Sequence, residues 1–325
     1  MNDLTSYTAA NTLPAKLLQA ADLVRRIKGG FIPPVHVQLN PTNRCNLNCD
    51  FCSCSERDKN LELDPDRLTV AMEKFMDLGC KSVTITGGGE PLLYPYINSL
   101  IPWLAEDMGI KVGLVTNGTQ FLKLNDDVYR HLTWCRISSS DDREPDWQSI
   151  KWAVDVGSDV DWAFSHVVTR KPRWDYIEDL VRFANFHKAF THVRLVGDIL
   201  DINQAAHKVH EAKIKLNRYS IDDSKVIYQS RAEYVHGRRD CRISLLKPVV
   251  GADGGIYPCC GVQYAQNTPG RDYVSSMRMG WLEDIGYIWE KQTYFCGLDC
   301  VRCYYDNYNG ALELMSLPLN HERFV

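Results

Sequence analysis

A run of about eighteen apolar residues, the least that spans a bilayer as a helix, occurs nowhere in this chain. The opening MNDLTSYTAANTLPAKLLQA lacks the charged-then-apolar pattern of an export signal. Neither sign of charge is in large excess. A net charge of −4 with 24% charged residues offers no broadly basic surface for a nucleic-acid backbone and no general attraction to an anionic membrane. Internal repeats and low-complexity segments are missing as well. The nine histidines show no ligand spacing; His207 and His210, three apart on one helix face, read as surface. These absences lead to the expectation of a cytoplasmic protein with no membrane partner and no nucleic-acid substrate. The 45% hydrophobic content suffices for a large core.

Cysteine is what the chain has in quantity. Twelve occur, four within residues 45–54, three within 241–260 and three within 296–303, with Cys80 and Cys135 alone. A cytoplasmic chain of 325 residues has no need of disulfide staples. Thiols bunched at gaps of two or three residues point to metal ligation. Cys80 and Cys135 read as small buried hydrophobes.

The order of elements follows from hydrophobic periodicity. A helix is expected over Pro14 to Ile27, then strands at His36–Asn40, Ser82–Thr86, Lys111–Thr116, Cys135–Ser138, Trp162–Val168 and His192–Val196. Helical patterns lie between them, the clearest at Asp66–Leu78, with Leu68, Ala71, Met72, Phe75 and Met76 as its apolar stripe, and at Tyr176–Phe186. The βα repeat length argues for parallel strands with crossover helices. Six such units fall short of the eight that close a full barrel, so an α/β partial (β/α)6 barrel is expected. Past residue 217 the rhythm breaks, and GADGGIYPCC reads as a hairpin turning at Asp253–Gly254. The expected organisation is an N-terminal helical extension (1–30), a partial barrel (31–217) and a cysteine-rich region of β-hairpin and helix (218–325).

The first cysteine group, Cys45-x3-Cys49-x2-Cys52, follows the first strand directly. It therefore belongs at the carboxyl end of the sheet, where α/β proteins build their sites. A structural zinc site wants four ligands. Cys54, two residues after Cys52, need not converge with the other three. Four-iron clusters also take thiolates, and three thiolates leave one iron for an exogenous ligand.

With CNLNCDFC followed by TITGGGEPLL, the chain resembles the radical S-adenosylmethionine (radical SAM) enzymes. The resemblance rests on Cys-x3-Cys-x-aromatic-Cys after the first strand, with Phe51 the aromatic, and on Gly88-Gly89-Glu90 after the second. It implies a 4Fe-4S cluster on Cys45, Cys49 and Cys52, with S-adenosyl-L-methionine chelating the fourth iron. Cleavage by one electron from an external donor such as flavodoxin or ferredoxin would give a 5′-deoxyadenosyl radical that abstracts hydrogen from substrate. Gly88 and Gly89 would let the backbone approach the methionine amino group, and Glu90 would fix that turn. Asn117, in TNGT, would lie near the methionine or ribose end, and Ser138 or Ser140, in RISSSD, on the ribose or carboxylate.

The second group is Cys241-x12-Gly254-x4-Cys259 with a later Cys300-x2-Cys303. It resembles the SPASM and twitch regions that carry auxiliary clusters in such enzymes. The six cysteines here fit the shorter, twitch-like arrangement. The resemblance implies one auxiliary 4Fe-4S cluster on Cys241, Cys259, Cys300 and Cys303. Cys296 is either an alternative ligand or free, and Cys260 is left out of the set. A structural zinc site on the same four thiolates is the other reading.

Arg194, inside the sixth strand, needs a partner if it points into the barrel, either the cofactor carboxylate or a substrate. Arg170 and Lys171 follow the fifth strand and would meet a phosphate or carboxylate, or else line a solvated loop. Tyr304, Tyr305 and Tyr308 read as packing near the second group. Some 35 residues precede the first strand, too few for the peptide-recognition domain of many peptide-modifying relatives, and this favours a small-molecule substrate such as a metabolite, sugar or nucleotide. A peptide substrate is the second reading. A non-catalytic, metal-stabilised binding module is the third, and it leaves the Gly-Gly-Glu turn without a use.

Overall fold

The computed structural model describes residues 13–55, 57–143, 145–198, 201–229, 235–260, 277–300 and 303–317. Its contacts divide the chain into two compact units. One gathers residues 1–38, 64–81 and 234–325, and the other residues 39–63 and 82–233.

The second unit opens at Leu39, the last residue of β1 (His36–Leu39). It continues with β2 (Ser82–Ile85), β3 (Lys111–Thr116), β4 (Leu132–Ser140), β5 (Asp161–Val168), β6 (Phe190–Gly197) and β7 (Val226–Gln229). Strands β2 to β7 lie side by side in chain order, every neighbouring pair parallel. The Leu39 carbonyl accepts the Thr86 N–H at 2.8 Å, carrying the pattern onto β2. Helices Trp147–Val156, Trp174–Phe186 and Ile202–Arg218 follow β4, β5 and β6. One face of the sheet packs on them through aromatic side chains. Phe164 stacks on Phe190 at 4.6 Å and meets Trp147 and Phe183 edge-on at 6.1 and 5.9 Å.

All six strands read from periodicity are present. β7 is a seventh, beyond residue 217, pairing Val193 with Val226 through Val196 with Gln229. β4 runs longer than Cys135–Ser138, from Leu132 to Ser140. Its C-terminal end, Ser138–Ser140, is polar and is held extended by pairing with β5, while Leu132 and Trp134 at its start pair with β3.

In the first unit the helix expected over Pro14–Ile27 is two, Leu13–Leu18 and Ala21–Lys28, because Ala20 leaves helical geometry at φ −117°, ψ 72°. Helix Pro65–Leu78 starts with Asp64 accepting the Arg67 N–H at 2.9 Å and Pro65 at its first position, where no N–H is needed. It ends at Gly79, whose φ of 113° suits only glycine. Leu68, Ala71, Met72 and Phe75 are buried as the stripe predicts, whereas Met76 is 41% exposed and belongs to the outer face. The C-terminal portion holds short strands β8 (Val249–Val250), β9 (Gly255–Tyr257) and β10 (Gly280–Trp281), antiparallel in that order. Between β8 and β9 the turn falls at Asp253–Gly254 as expected. Gly254 has φ 80°, and Asp253 accepts the Gly255 N–H at 2.9 Å. No helix among the described residues is long and apolar enough to cross a membrane.

Candidate functional site

The segment after β1 leaves and returns as a loop with a tied neck. Asn43 N–H donates to the Leu61 carbonyl and Leu63 N–H to that of Pro41, both at 2.9 Å. Thr42 pairs with Glu62, and the Arg44 guanidinium bonds the Glu62 carboxylate. Within the loop Cys45, Cys49 and Cys52 are partly exposed, and none is in a disulfide. Two turns shape it, Cys52 N–H to Cys49 O at 3.0 Å and Ser55 N–H to Cys52 O at 3.2 Å.

Cys54 is 5% exposed, with its sulfur 3.9 Å from the Ser53 hydroxyl. The neighbouring Cys54 thiol, opposed by burial and helped by Arg57, pulls the Cys52 thiol down to about 5. Cys54 itself is pushed well above the ordinary thiol range by Cys52 and by its burial. Burial raises the Cys49 thiol, with the Arg143 charge acting against the rise.

The turn after β2 seats on the start of this loop. A Cβ on Gly89 would overlap the Arg44 carbonyl oxygen, and one on Gly88 the Asn43 side-chain oxygen. The Gly89 N–H donates to Thr42 O at 3.0 Å and the Glu90 N–H to Arg44 O at 2.7 Å. Gly89 is thus required by the approach of one backbone to another, while Gly88 leaves room for the Asn43 side chain. Glu90 is 2% exposed and spends both oxygens on protein. Oε1 accepts Thr116 Oγ1 at 2.6 Å and Leu92 N–H at 3.1 Å, and Oε2 accepts Asn117 N–H at 2.7 Å. Burial raises its carboxyl despite these bonds. Asn117 then reaches the cysteine loop. Its Nδ2 donates to Asn46 Oδ1 at 3.0 Å, while Oδ1 accepts from Thr119, whose hydroxyl accepts Asn46 Nδ2 at 2.8 Å. The ends of β1, β2 and β3 are welded into one edge.

Phe51, the aromatic of the motif, is half-buried in the loop. Ser138 is half-buried and Ser140 buried at the end of β4. Ser138 stands in register with Ser165 of β5 and Arg194 of β6, on the face away from the helices. Arg194 donates through Nε and Nη2 to Ser165 Oγ at 3.2 and 2.9 Å. Arg170 is paired with Asp201 at 2.5 Å. Asn117 and Glu90 are brought to the cysteine loop, whereas Arg194 lies across the sheet from it, on β6.

Sequence reasoning missed several residues. Arg143 donates to the Ser138 carbonyl at 2.7 Å, and its Nη1 is buried with no hydrogen-bond partner among the described residues. Its charge acts on both Cys49 and Glu90, so a half-buried cation with one buried, unused donor stands beside the cysteine loop. Nothing marked it in a polar stretch such as SSSDDREPD. Ser139, His166 and Asp141 form a buried chain, Ser139 Oγ to Nδ1 and Nε2 to Asp141 Oδ1, each 3.0 Å. Burial alone would raise the Asp141 carboxyl, but His166 and the N–H groups of Thr169 and Arg173 hold it below the usual range. With Ser139 5% exposed on the helix-facing side, this is a strut and not a nucleophilic triad.

In the first unit the charges of Cys303 and Cys300 act on Cys241, which burial pushes up to about 12. Asn309 Nδ2 approaches the Cys241 sulfur at 3.9 Å. Cys259 stands just after β9, Cys260 contacts Tyr305 Oη at 3.3 Å, and Cys296 is exposed. Tyr308 packs edge-on against Tyr305 and is buried. Cys80 and Cys135 are buried in apolar surroundings, as expected.

Among the described residues no three His, Cys, Asp or Glu side chains converge to hold a single metal ion. A cubane takes each thiolate at a separate iron, so its ligands range around it instead of meeting at a point. Three unbridged thiols on a tied loop, beside a buried donor without a partner, fit such a cluster and an anionic group bound next to it.

Residues 39–133, which hold the loop, the glycine turn and Asn117, match the model of the radical SAM superfamily. The chain thus contains a segment similar to the radical SAM superfamily. A GTP 3′,8-cyclase of Staphylococcus aureus (strain Mu3) is 33% identical over 117 residues, which are 33% of this chain and 34% of that protein. The chain thus matches about a third of the length of these relatives. Among solved structures, Streptococcus suis SuiB bound to S-adenosylmethionine superposes with a TM-score of 0.59 at 18% identity, covering 91% of this chain and 79% of that one. The protein anSMEcpe with bound AdoMet and a peptide gives 0.54 at 15% identity, covering 90% and 86%. These structures share the fold, an α/β architecture with a mostly parallel sheet.

Proposed function

We propose that the chain binds a 4Fe-4S cluster through Cys45, Cys49 and Cys52 and uses S-adenosyl-L-methionine to abstract hydrogen from a small-molecule substrate. The observation that carries this reading is the seating of Gly88 and Gly89 on Asn43 and Arg44. A structural metal loop has no use for a glycine turn pressed against it and braced by a buried glutamate.

When bound, the cluster and S-adenosylmethionine supply a one-electron cleavage that leaves methionine and a 5′-deoxyadenosyl radical. The chain's own residues do the rest. The tied neck holds the three thiols in place before the cluster arrives. Arg143 offers its buried Nη1 to the cofactor carboxylate, in a site where burial strengthens a charged hydrogen bond. Glu90 holds Asn117 toward the loop, and Asn46 and Thr119 fix its amide, so that this edge meets the cofactor without reorganising. Ser138 lies one strand beyond Asn117, in position for the ribose. The Ser139–His166–Asp141 strut keeps the ends of β4 and β5 from shifting.

Cys241, Cys300 and Cys303, with Cys259 after β9, are read as ligands of an auxiliary 4Fe-4S cluster that accepts an electron from the substrate radical or binds substrate. The small-molecule class is supported by the GTP 3′,8-cyclase relatives, which share a sequence segment at 33% identity. Peptide substrates belong to proteins that share the fold at 18% identity or less.

Iron and sulfide per chain after anaerobic reconstitution test the reading, together with 5′-deoxyadenosine released with S-adenosylmethionine and dithionite. About eight irons are expected, falling to about four in Cys45→Ala/Cys49→Ala/Cys52→Ala, on the stoichiometry of four-iron clusters. No iron in the wild type, or 5′-deoxyadenosine from the triple variant, would overturn it.

A further inference from the structure

Arg57 stands on the returning limb of the cysteine loop and crosses it. Its Nε donates to the Asn43 carbonyl on the outgoing limb at 2.9 Å. Its Nη1 donates to the Cys54 carbonyl and lies 3.5 Å from Cys52 Sγ. The guanidinium is planar and permanently charged, so these three contacts fix a full positive charge against one sulfur. Among the described residues no side-chain donor is directed at Cys45 or Cys49. One of the three thiols is therefore singled out by the fold, through a residue that belongs to no recognisable motif.

Hydrogen bonds and positive charge at a cluster's thiolates are among the levers that set its reduction potential. An electron arriving from an external one-electron donor adds a negative charge to the cluster and its sulfurs. A cation held at one of those sulfurs lowers the energy of the reduced form and raises the potential.

We infer that Arg57 is a positioning residue that raises the reduction potential of the cluster bound by Cys45, Cys49 and Cys52 by donating to the Cys52 sulfur. This rests on the cluster reading given above. The role goes beyond clasping the loop, because the neck is already tied by Asn43–Leu61, Pro41–Leu63 and Arg44–Glu62.

The test is a mediated redox titration of the reconstituted full chain followed by electron paramagnetic resonance. The signal to follow is the one that changes when S-adenosylmethionine is added, which separates this cluster from an auxiliary one. Arg57→Gln removes the charge and Arg57→Lys keeps it. Arg44→Gln loosens the neck without touching a thiol. The expected result is a more negative midpoint in Arg57→Gln, with the ratio of reduced to oxidised cluster at a fixed potential falling about tenfold, or about 59 mV for one electron. Arg57→Lys should restore most of it, and Arg44→Gln should leave the midpoint in place. A wild-type midpoint in Arg57→Gln at full iron content would overturn the inference. So would loss of the cluster from Arg57→Gln and Arg57→Lys alike, which would assign Arg57 to loop closure alone. An iron-free wild type would instead remove the cluster reading beneath it.

Discussion

The carboxylate of Glu90 accepts the backbone N–H of Asn117 at 2.7 Å, so the turn after β2 fixes the turn after β3. The same carboxylate takes the Thr116 hydroxyl and the Leu92 N–H. The third residue of the Gly-Gly-Glu motif is thus fully occupied with protein, and its effect on a cofactor passes through Asn117.

Glu90→Gln places an amide N–H where an acceptor is required, against either Asn117 or Thr116. A charged hydrogen bond lost at a buried site costs roughly 1.5–3 kcal/mol. Urea denaturation should show a lower midpoint with an unchanged slope, and S-adenosylmethionine affinity should weaken as Asn117 is released. Unchanged stability and affinity together would contradict the bracing role.

Gly89→Ala forces a methyl group into the Arg44 carbonyl, and backbone on both sides leaves nothing flexible to yield. The expected outcome is a marked loss of iron bound per chain at the first site. Gly286→Ala is the comparator. Its Cβ would meet nothing within 4 Å inside helix Ile285–Glu290, and it should gain roughly 0.5–1 kcal/mol from better helix propensity. Iron content of the two variants, measured side by side, separates loop displacement from a general effect of added methyl groups.

His192 gives a pH dependence. Burial first, then the charges of Arg136 and Arg194, lower its pKa from 6.5 to about 3. A group whose folded pKa is depressed is held neutral in the folded state and binds its proton more readily when unfolded. Its contribution is complete above pH 6.5 and is lost as pH falls from there to about 3. The slope is at most about 1.4 kcal/mol per pH unit, for a single proton. His192→Gln should flatten the acid limb of the unfolding free energy in that window. An acid limb as steep as that of the wild type would place the titration elsewhere.

Cys241→Ala and Cys300→Ala, made singly, should each reduce bound iron by about four per chain if these thiols hold one cubane. Cys260→Ala and Cys296→Ala should leave iron unchanged, since one thiol faces Tyr305 and the other is exposed. Iron and sulfide analysis of the four variants decides the ligand set.

Strand periodicity located six strands because a parallel sheet covered by helices must be apolar through most of its length. It fell short at β7, whose Val-Ile-Tyr run is strand-forming but short, and at both ends of β4, where pairing with β3 and β5 carries the strand past its apolar stretch. Single-helix periodicity over Pro14–Ile27 likewise could not show the break at Ala20, whose backbone departs from the helix without any proline or glycine to signal it. The cysteine spacing and the Gly-Gly-Glu turn were legible because their chemistry fixes residue type and distance along the chain.

What the sequence alone determined is therefore the local chemistry: three thiols on a loop after the first strand, a glycine turn after the second, and a second cysteine group near the C-terminal end. Tertiary structure decided which of these residues meet. It spent both Glu90 oxygens on the β2–β3 edge, buried the Ser139–His166–Asp141 chain as a strut, and brought Arg143 and Arg57 to the thiols of the cysteine loop. Motif spacing records constraints between neighbours in the chain. The partners of a guanidinium or a buried carboxylate are set by strand register and loop closure, which no short stretch of sequence contains.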